Sequence, residues 1–207
     1  MSETRKRKDE VDCISEKKAK IEQNQPEWLA ELEEKGYCVV PGVLSRSKSS
    51  EYVSKFWDWL ESFHTGVDRS NPKTWTCSKL PHNSHGIIQH FAIGHAQFVW
   101  DIRSEDSVID VFSKIWNTQR LLVSFDGANF SRVTKSQTKP WPHVDQGPKK
   151  KGKVCIQGLV NLLDSGENDG GLLVYEGSHK LHAKFFEDNK LTSLSGVRTI
   201  LTTITNF

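Results

Sequence analysis

A histidine and an aspartate two positions apart, His143 and Asp145, form the pair in this sequence best suited to bind a metal ion. On a strand, residues i and i+2 project to the same face, so the imidazole and the carboxylate would stand side by side. Such a pair supplies two ligands of the facial triad that holds Fe(II) and leaves positions open for a co-substrate and dioxygen. A histidine hydrogen-bonded to an aspartate on an edge strand is the structural alternative, because His-x-Asp is also common by chance.

The segments around this pair are rich in β-branched and apolar residues, whereas the earlier part of the chain has helical periodicity. The spacing predicts helices over 26–36, 47–66 and 104–116, and strands over 37–40, 121–125 and 154–163. Pro26 would lie in the first turn of the first helix, and Gly36 just beyond its end. Helices first and strands later indicate a sheet core with helical support, and not alternating βαβ units.

Composition limits the classes of protein to which the chain can belong. Its 207 residues suffice for one sizeable core, so we expect one domain and a tail. The net charge is +2, with 28 basic and 26 acidic residues, which disfavours nucleic acid as a partner. No apolar run approaches the ~20 residues that cross a bilayer, so no membrane partner is expected. Four widely spaced cysteines without a CxxC pair favour a reducing, intracellular compartment.

The first 25 residues contain seven Lys or Arg and six Asp or Glu, with almost no large apolar side chain. Such a segment buries too little surface to offset its chain entropy, so residues 1–25 are predicted to be a disordered charged tail. Its basic clusters, Arg5–Lys8 and Lys17–Lys20, could be read by nuclear import machinery or could simply be solvated. We therefore expect a cytoplasmic location, with a nuclear one as the alternative.

Five motifs, in order along the chain, resemble the phytanoyl-CoA dioxygenase family from about Trp28 to Phe185. They are Gly36–Leu44, Phe98–Arg103, Leu121–Gly127, Trp141–Asp145 and Asn168–Lys180. The resemblance implies a mostly β domain with N-terminal helices, a jelly-roll-like double-stranded β-helix, over residues 26–188. It also implies that His143 and Asp145 bind Fe(II), and that 2-oxoglutarate is consumed while a small organic or acyl substrate is hydroxylated.

By the same resemblance, the segment Val154–Asn161 would be a strand beside the metal. Gln157, Leu159 and Asn161 would share one face of it, and we expect that face to contact 2-oxoglutarate. Gln157 is the best polar candidate, with an ordinary barrel-lining role as the alternative. Asn129 is a further candidate for the same co-substrate.

The sequence departs from the family near its end. Family members carry a second metal-binding His on a late strand and, further on, an Arg that pairs with 2-oxoglutarate, but no His follows His182 here. His179 falls in a turn that the family does not use for metal, so neither His179 nor His182 is expected to substitute as a ligand, and Arg198 does not fit the place of the family's Arg. We expect residues 189–207 to be a truncated or altered C-terminus, and an oxygenase that is inactive through loss of the second His and the Arg is the alternative to an active one. An incomplete barrel would expose sheet edges and favour self-association.

Two further clusters have both functional and ordinary interpretations. The histidines at 82, 85, 90 and 95 have spacings that do not fit a zinc site, although Gln89 or His90 could contact a substrate. Lys149–Lys153 could attract an anionic substrate or could be a solvated loop.

Three hypotheses follow from the sequence: an Fe(II)- and 2-oxoglutarate-dependent oxygenase, a non-enzymatic interaction protein that keeps part of the oxygenase fold, and a module that binds another metal. The oxygenase ranks first. Its substrate cannot be named, because a fold of this kind serves many substrates.

Overall fold

The structure is a computed structural model that describes residues 25–131, 143–166, 169 and 171–191. The predicted tail up to residue 24 and the predicted C-terminal segment from residue 192 lie outside the described residues. The predicted domain boundaries therefore stay predictions.

Helices form most of the regular structure in the described residues. The α-helices are α1 (Glu27–Lys35), α2 (Arg46–Glu61), α3 (Gln97–Arg103), α4 (Asp106–Trp116) and α5 (Ser178–Asp188). Short 3₁₀ turns lie at Pro72–Thr74 and Ile93–His95, and two strands, β1 (Ile87–Ile88) and β2 (Ala128–Asn129), pair antiparallel. None of the helices in these ranges is long and apolar enough to span a membrane.

Helix α1 begins and ends where its sequence predicts. Pro26 caps it with a φ of −58°, and Gly36 ends it in the left-handed conformation with a φ of 85°. The Gly36 N–H donates to the Leu32 carbonyl at 2.9 Å, which satisfies one of the carbonyls left over at the helix end. Glu27 in the first turn and Lys35 in the last turn both suit the helix dipole.

Helix α2 supplies the centre of the hydrophobic core. Ser45 caps it by accepting a hydrogen bond from the Lys48 N–H at 3.2 Å. Tyr52, Phe56 and Leu60, each four positions apart, are buried on one face. The remaining buried residues of this core are Val67, Leu80, Ile88, Ile93, Phe98 and Val99.

The small sheet closes against this core. Ile87 pairs with Asn129 and Ile88 with Ala128. The chain can approach β1 because residue 127 is glycine: a Cβ there would lie 1.9 Å from the Ile88 carbonyl oxygen. Arg103 supports the same region by donating to the carbonyls of Gly94, at 2.8 Å, and Asp126.

The prediction of a mostly β, jelly-roll-like fold is wrong for the described residues, in which a single two-stranded sheet accompanies predominantly helical structure. The predicted strands at 37–40, 121–125 and 154–163 form no ladder. Their apolar side chains stay largely in solvent, and Leu122 is fully exposed. Strand propensity mainly reflects packing on a pleated, half-buried surface, and without a neighbouring strand these segments lack that surface.

Helix α5 was not predicted, since its first residues were interpreted as a tight turn. Gly177 does lie in a left-handed turn, with a φ of 72°, but a helix follows immediately. Its start docks on the end of α1: the Gly177 N–H donates to the Lys35 carbonyl at 2.7 Å, and Lys180 pairs with Glu34 at 2.8 Å. This contact joins the first and last helices of the described chain.

Candidate metal centre

His143 and Asp145 lie side by side, with 3.5 Å between His143 Nε2 and Asp145 Oδ1. The backbone does not do this as a strand, because residues 143 and 144 have no regular structure and a bend begins at Asp145. The predicted strand is therefore wrong, although the two side chains meet as expected. Both are well exposed, at 42% and 61% of their side-chain surface, so an ion in solution can reach them.

Gln157 contacts the same carboxylate. Its side-chain amide donates a hydrogen bond to Asp145 Oδ2, the oxygen that does not face His143. The two carboxylate oxygens therefore have different neighbours, an amide on one side and an imidazole on the other. A fixed carboxylate of this kind is what a metal ligand needs from its surroundings.

Helix α4 positions the segment that carries Gln157. Gly158 lies directly against the Phe112 ring, and a Cβ at Gly158 would be 2.7 Å from Phe112 Cζ. At the start of the segment, the Lys153 ammonium lies 5.6 Å from the centroid of the Trp116 ring and pairs with Glu33 at 2.8 Å. Helices α1 and α4 thus hold the segment without a sheet.

A second polar group supports the loop that follows Asp145. The Gln146 side-chain amide donates to the carbonyls of Lys150, at 2.9 Å, and Gly152, at 3.1 Å. His182 Nε2, on helix α5, lies 2.8 Å from the Gln146 carbonyl oxygen. Because a carbonyl oxygen can only accept, the imidazole donates this hydrogen bond.

The separation of the two donor atoms is slightly longer than that of two ligands on one divalent cation. Two ligand atoms each about 2.1 Å from a metal stand about 3.0 Å apart at a right angle and about 3.4 Å apart at a tetrahedral angle. The 3.5 Å separation of His143 Nε2 and Asp145 Oδ1 is close to this range. Neutral imidazole and carboxylate are also the donors that the facial triad for Fe(II) requires.

No third ligand completes the pair within the described part of the chain, where no cluster of three or more His, Cys, Asp or Glu is found. His179 Nε2 donates to the Glu33 carbonyl at 3.1 Å, on the side of α5 that contacts α1. The rings of His82 and His90 lie 6.2 Å apart without forming such a cluster. His143 and Asp145 stay two candidate ligands.

The structure tests neither of the other predicted co-substrate residues, Asn129 and Asn161. Asn129 lies in β2 and accepts a hydrogen bond from Ser131 at 2.9 Å. Their roles stay predictions. Sequence reasoning assigned no role to Gln146 and considered His182 only as a substitute metal ligand. The hydrogen bond between them links positions 36 apart, which no local pattern predicts.

Two named proteins are similar to this chain. "Ava biosynthesis cluster protein O" of Aspergillus versicolor is 36% identical over 166 residues, which cover 79% of this chain and 54% of the relative. "Putative phytanoyl-CoA dioxygenase" of Dictyostelium discoideum is 28% identical over 201 residues, which cover 77% of this chain and 57% of the relative. No family model and no solved structure matches the chain.

The chain spans just over half the length of both relatives. The name of the Dictyostelium discoideum protein agrees with the family that the sequence motifs resemble. Neither name specifies a substrate or a metal.

Proposed function

We propose that this chain is a phytanoyl-CoA dioxygenase-like domain that binds Fe(II) through His143 and Asp145 and uses 2-oxoglutarate to hydroxylate a small organic or acyl substrate. The observation that carries the proposal is the 3.5 Å separation of His143 Nε2 and Asp145 Oδ1 on an exposed loop. Similarity to a protein whose name includes phytanoyl-CoA dioxygenase supports the class of reaction.

The chain's own residues hold the donor atoms in place. Gln157 occupies Asp145 Oδ2, so Oδ1 is left to face His143. When bound, the iron would supply dioxygen activation coupled to oxidation of 2-oxoglutarate to succinate and CO₂. Positioning the ligands before the metal arrives lowers the entropic cost of binding it.

The exposure of His143 and Asp145 leaves the proposed site open to a metal ion and a co-substrate. Part of both side chains faces solvent, so a metal and a co-substrate can approach without displacing a packed core. Lys149, Lys150 and Lys151 follow closely and are exposed, which would favour an anionic co-substrate or substrate electrostatically. The 2-oxoglutarate contacts assigned to Gln157, Asn161 and Asn129 belong to this proposal.

The direct experiment measures succinate after anaerobic loading with Fe(II), followed by addition of 2-oxoglutarate and air. We expect succinate to form from the wild-type chain, to require Fe(II), and to be lost in His143→Ala. The matched control is His82→Ala, which removes an exposed histidine outside the pair. Succinate formation that persists in His143→Ala would contradict the proposal.

A second candidate function is supported by the exposed apolar side chains. Leu122, Val123, Phe125, Leu159 and Leu163 lie outside the helices and strands and are each more than half exposed. Apolar side chains and backbone groups without a paired strand favour association with another copy, so the non-enzymatic alternative is self-association through this surface. Light scattering after gel filtration tests it: a dimer that Leu122→Asp converts to a monomer supports it, and a wild-type monomer at all concentrations contradicts it.

A further inference from the structure

The loop that carries the proposed metal ligands is tied to helix α5 by one hydrogen bond. His182 Nε2 donates to the carbonyl of Gln146 at 2.8 Å, and Gln146 immediately follows Asp145. The bond therefore holds the backbone one residue away from a proposed ligand. Its importance rests on the proposed function of His143 and Asp145.

This bond matters because the loop has little other backbone support. Residues 143–147 make no ladder in the described structure, and the nearest turn is closed by the Lys150 N–H donating to the Gly147 carbonyl at 3.0 Å. The Gln146 side chain reaches forward to Lys150 and Gly152 and does not hold Asp145 itself. Without His182, the Gln146 peptide would lose its only described contact with a helix.

His182 is itself well fixed. Its ring is half-buried and lies 4.9 Å from the ring of Phe186, which is buried in the same helix. Helix α5 is anchored at its start by the hydrogen bond from Gly177 to Lys35 and by the Lys180–Glu34 pair. A donor on a rigid element can hold a loop more firmly than a donor on another loop.

We propose that His182 is a positioning residue, which sets the backbone at Gln146 and thereby the direction of the Asp145 carboxylate. It acts through Gln146 and is not itself proposed as a ligand, because His182 forms no cluster with His143 and Asp145 among the described residues. Removing such an outer partner typically costs about 10–100-fold in metal affinity, less than the loss of a ligand.

The test measures Mn(II) affinity, from the decrease in the electron paramagnetic resonance signal of the free ion, for the whole chain and four variants. We expect binding to be about 10-fold weaker in His182→Ala. In His182→Gln, whose amide can also donate to the carbonyl, most of the affinity should return. Lys184→Ala changes an exposed residue of the same helix, away from the loop and from α1, and should bind like the wild type. His143→Ala should not bind.

The outcomes separate the two proposals. Wild-type affinity in His182→Ala, with binding lost in His143→Ala, would overturn the positioning role and leave the metal site intact. A loss in His182→Ala as complete as that in His143→Ala, without recovery in His182→Gln, would also overturn it, since that pattern is expected of a direct ligand. No Mn(II) binding to the wild-type chain would overturn both proposals.

Discussion

Gln157 donates its side-chain amide to Asp145 Oδ2, and this hydrogen bond joins two segments that lie twelve positions apart. The two oxygens of the Asp145 carboxylate therefore have different neighbours, because Oδ1 lies 3.5 Å from His143 Nε2. Gln157 was expected to contact 2-oxoglutarate, but in the structure its amide contacts a proposed metal ligand. A role in binding 2-oxoglutarate and a role in orienting Asp145 predict different results for a Gln157 variant.

Gln157→Ala should weaken Mn(II) binding by about 10-fold, because the carboxylate then rotates more freely. Val154→Ala is the matched control, as it changes an exposed residue of the same segment, and its affinity should equal that of the wild type. Isothermal titration calorimetry with Mn(II) measures both. Unchanged Mn(II) affinity in Gln157→Ala together with weaker 2-oxoglutarate binding would show that Gln157 serves the co-substrate instead.

Gly127→Ala should lower the free energy of unfolding by about 1–3 kcal/mol, the usual cost of forcing a group into a packed site. The new Cβ would lie 1.9 Å from the Ile88 carbonyl oxygen, so the β1–β2 contact must open. Gly166→Ala is the control, because the nearest atom to its Cβ is an Asp169 oxygen at 3.6 Å. Urea unfolding compares them, and equal stability of the two variants would contradict the close approach of the two strands.

Tyr52→Phe should cost about 1–2 kcal/mol of unfolding free energy, because the buried Tyr52 hydroxyl donates to the Glu105 carboxylate. Tyr175→Phe is the control, since Tyr175 is exposed and should tolerate the change. Hydrogen bonds from Lys48 and Tyr52 lower the pKa of Glu105 below its ordinary value of 4.5.

That shift gives the Tyr52 effect a pH dependence. A carboxyl with a lowered pKa in the folded protein stabilises it above the ordinary pKa, and the contribution is lost as the pH falls through the folded value. The loss of unfolding free energy in Tyr52→Phe, relative to the wild type, should therefore be largest at pH 7 and smaller below pH 4.5. A difference that stays constant down to acid pH would rule out the charged form of Glu105 as the acceptor.

Helices α1, α2 and α4 could be predicted from the sequence because their signals are local, whereas α3 and α5 were not predicted. Pro26 and Gly36 bracket α1, and the four-residue spacing of Tyr52, Phe56 and Leu60 marks the buried face of α2. The strands could not be predicted in this way, because a strand needs a partner strand that its own sequence does not identify. Leu121–Phe125 has strand-like composition, yet the structure gives its backbone no neighbouring strand.

Part of the candidate site could also be predicted from the sequence, and part could not. A two-residue spacing was enough to bring His143 and Asp145 together, although through a bend and not a strand. The hydrogen bond from His182 to Gln146 spans 36 positions and depends on how α5 docks on α1, which no local pattern encodes. Long-range contacts of this kind become visible only in three dimensions.

The most direct test of the central claim is a titration of the 207-residue chain with Mn(II), compared with His143→Ala and with the His82→Ala control. The proposal predicts one site in the micromolar range for the wild type and His82→Ala, and none for His143→Ala. Equal binding by all three proteins, or no binding by the wild type, would contradict a metal centre at His143 and Asp145.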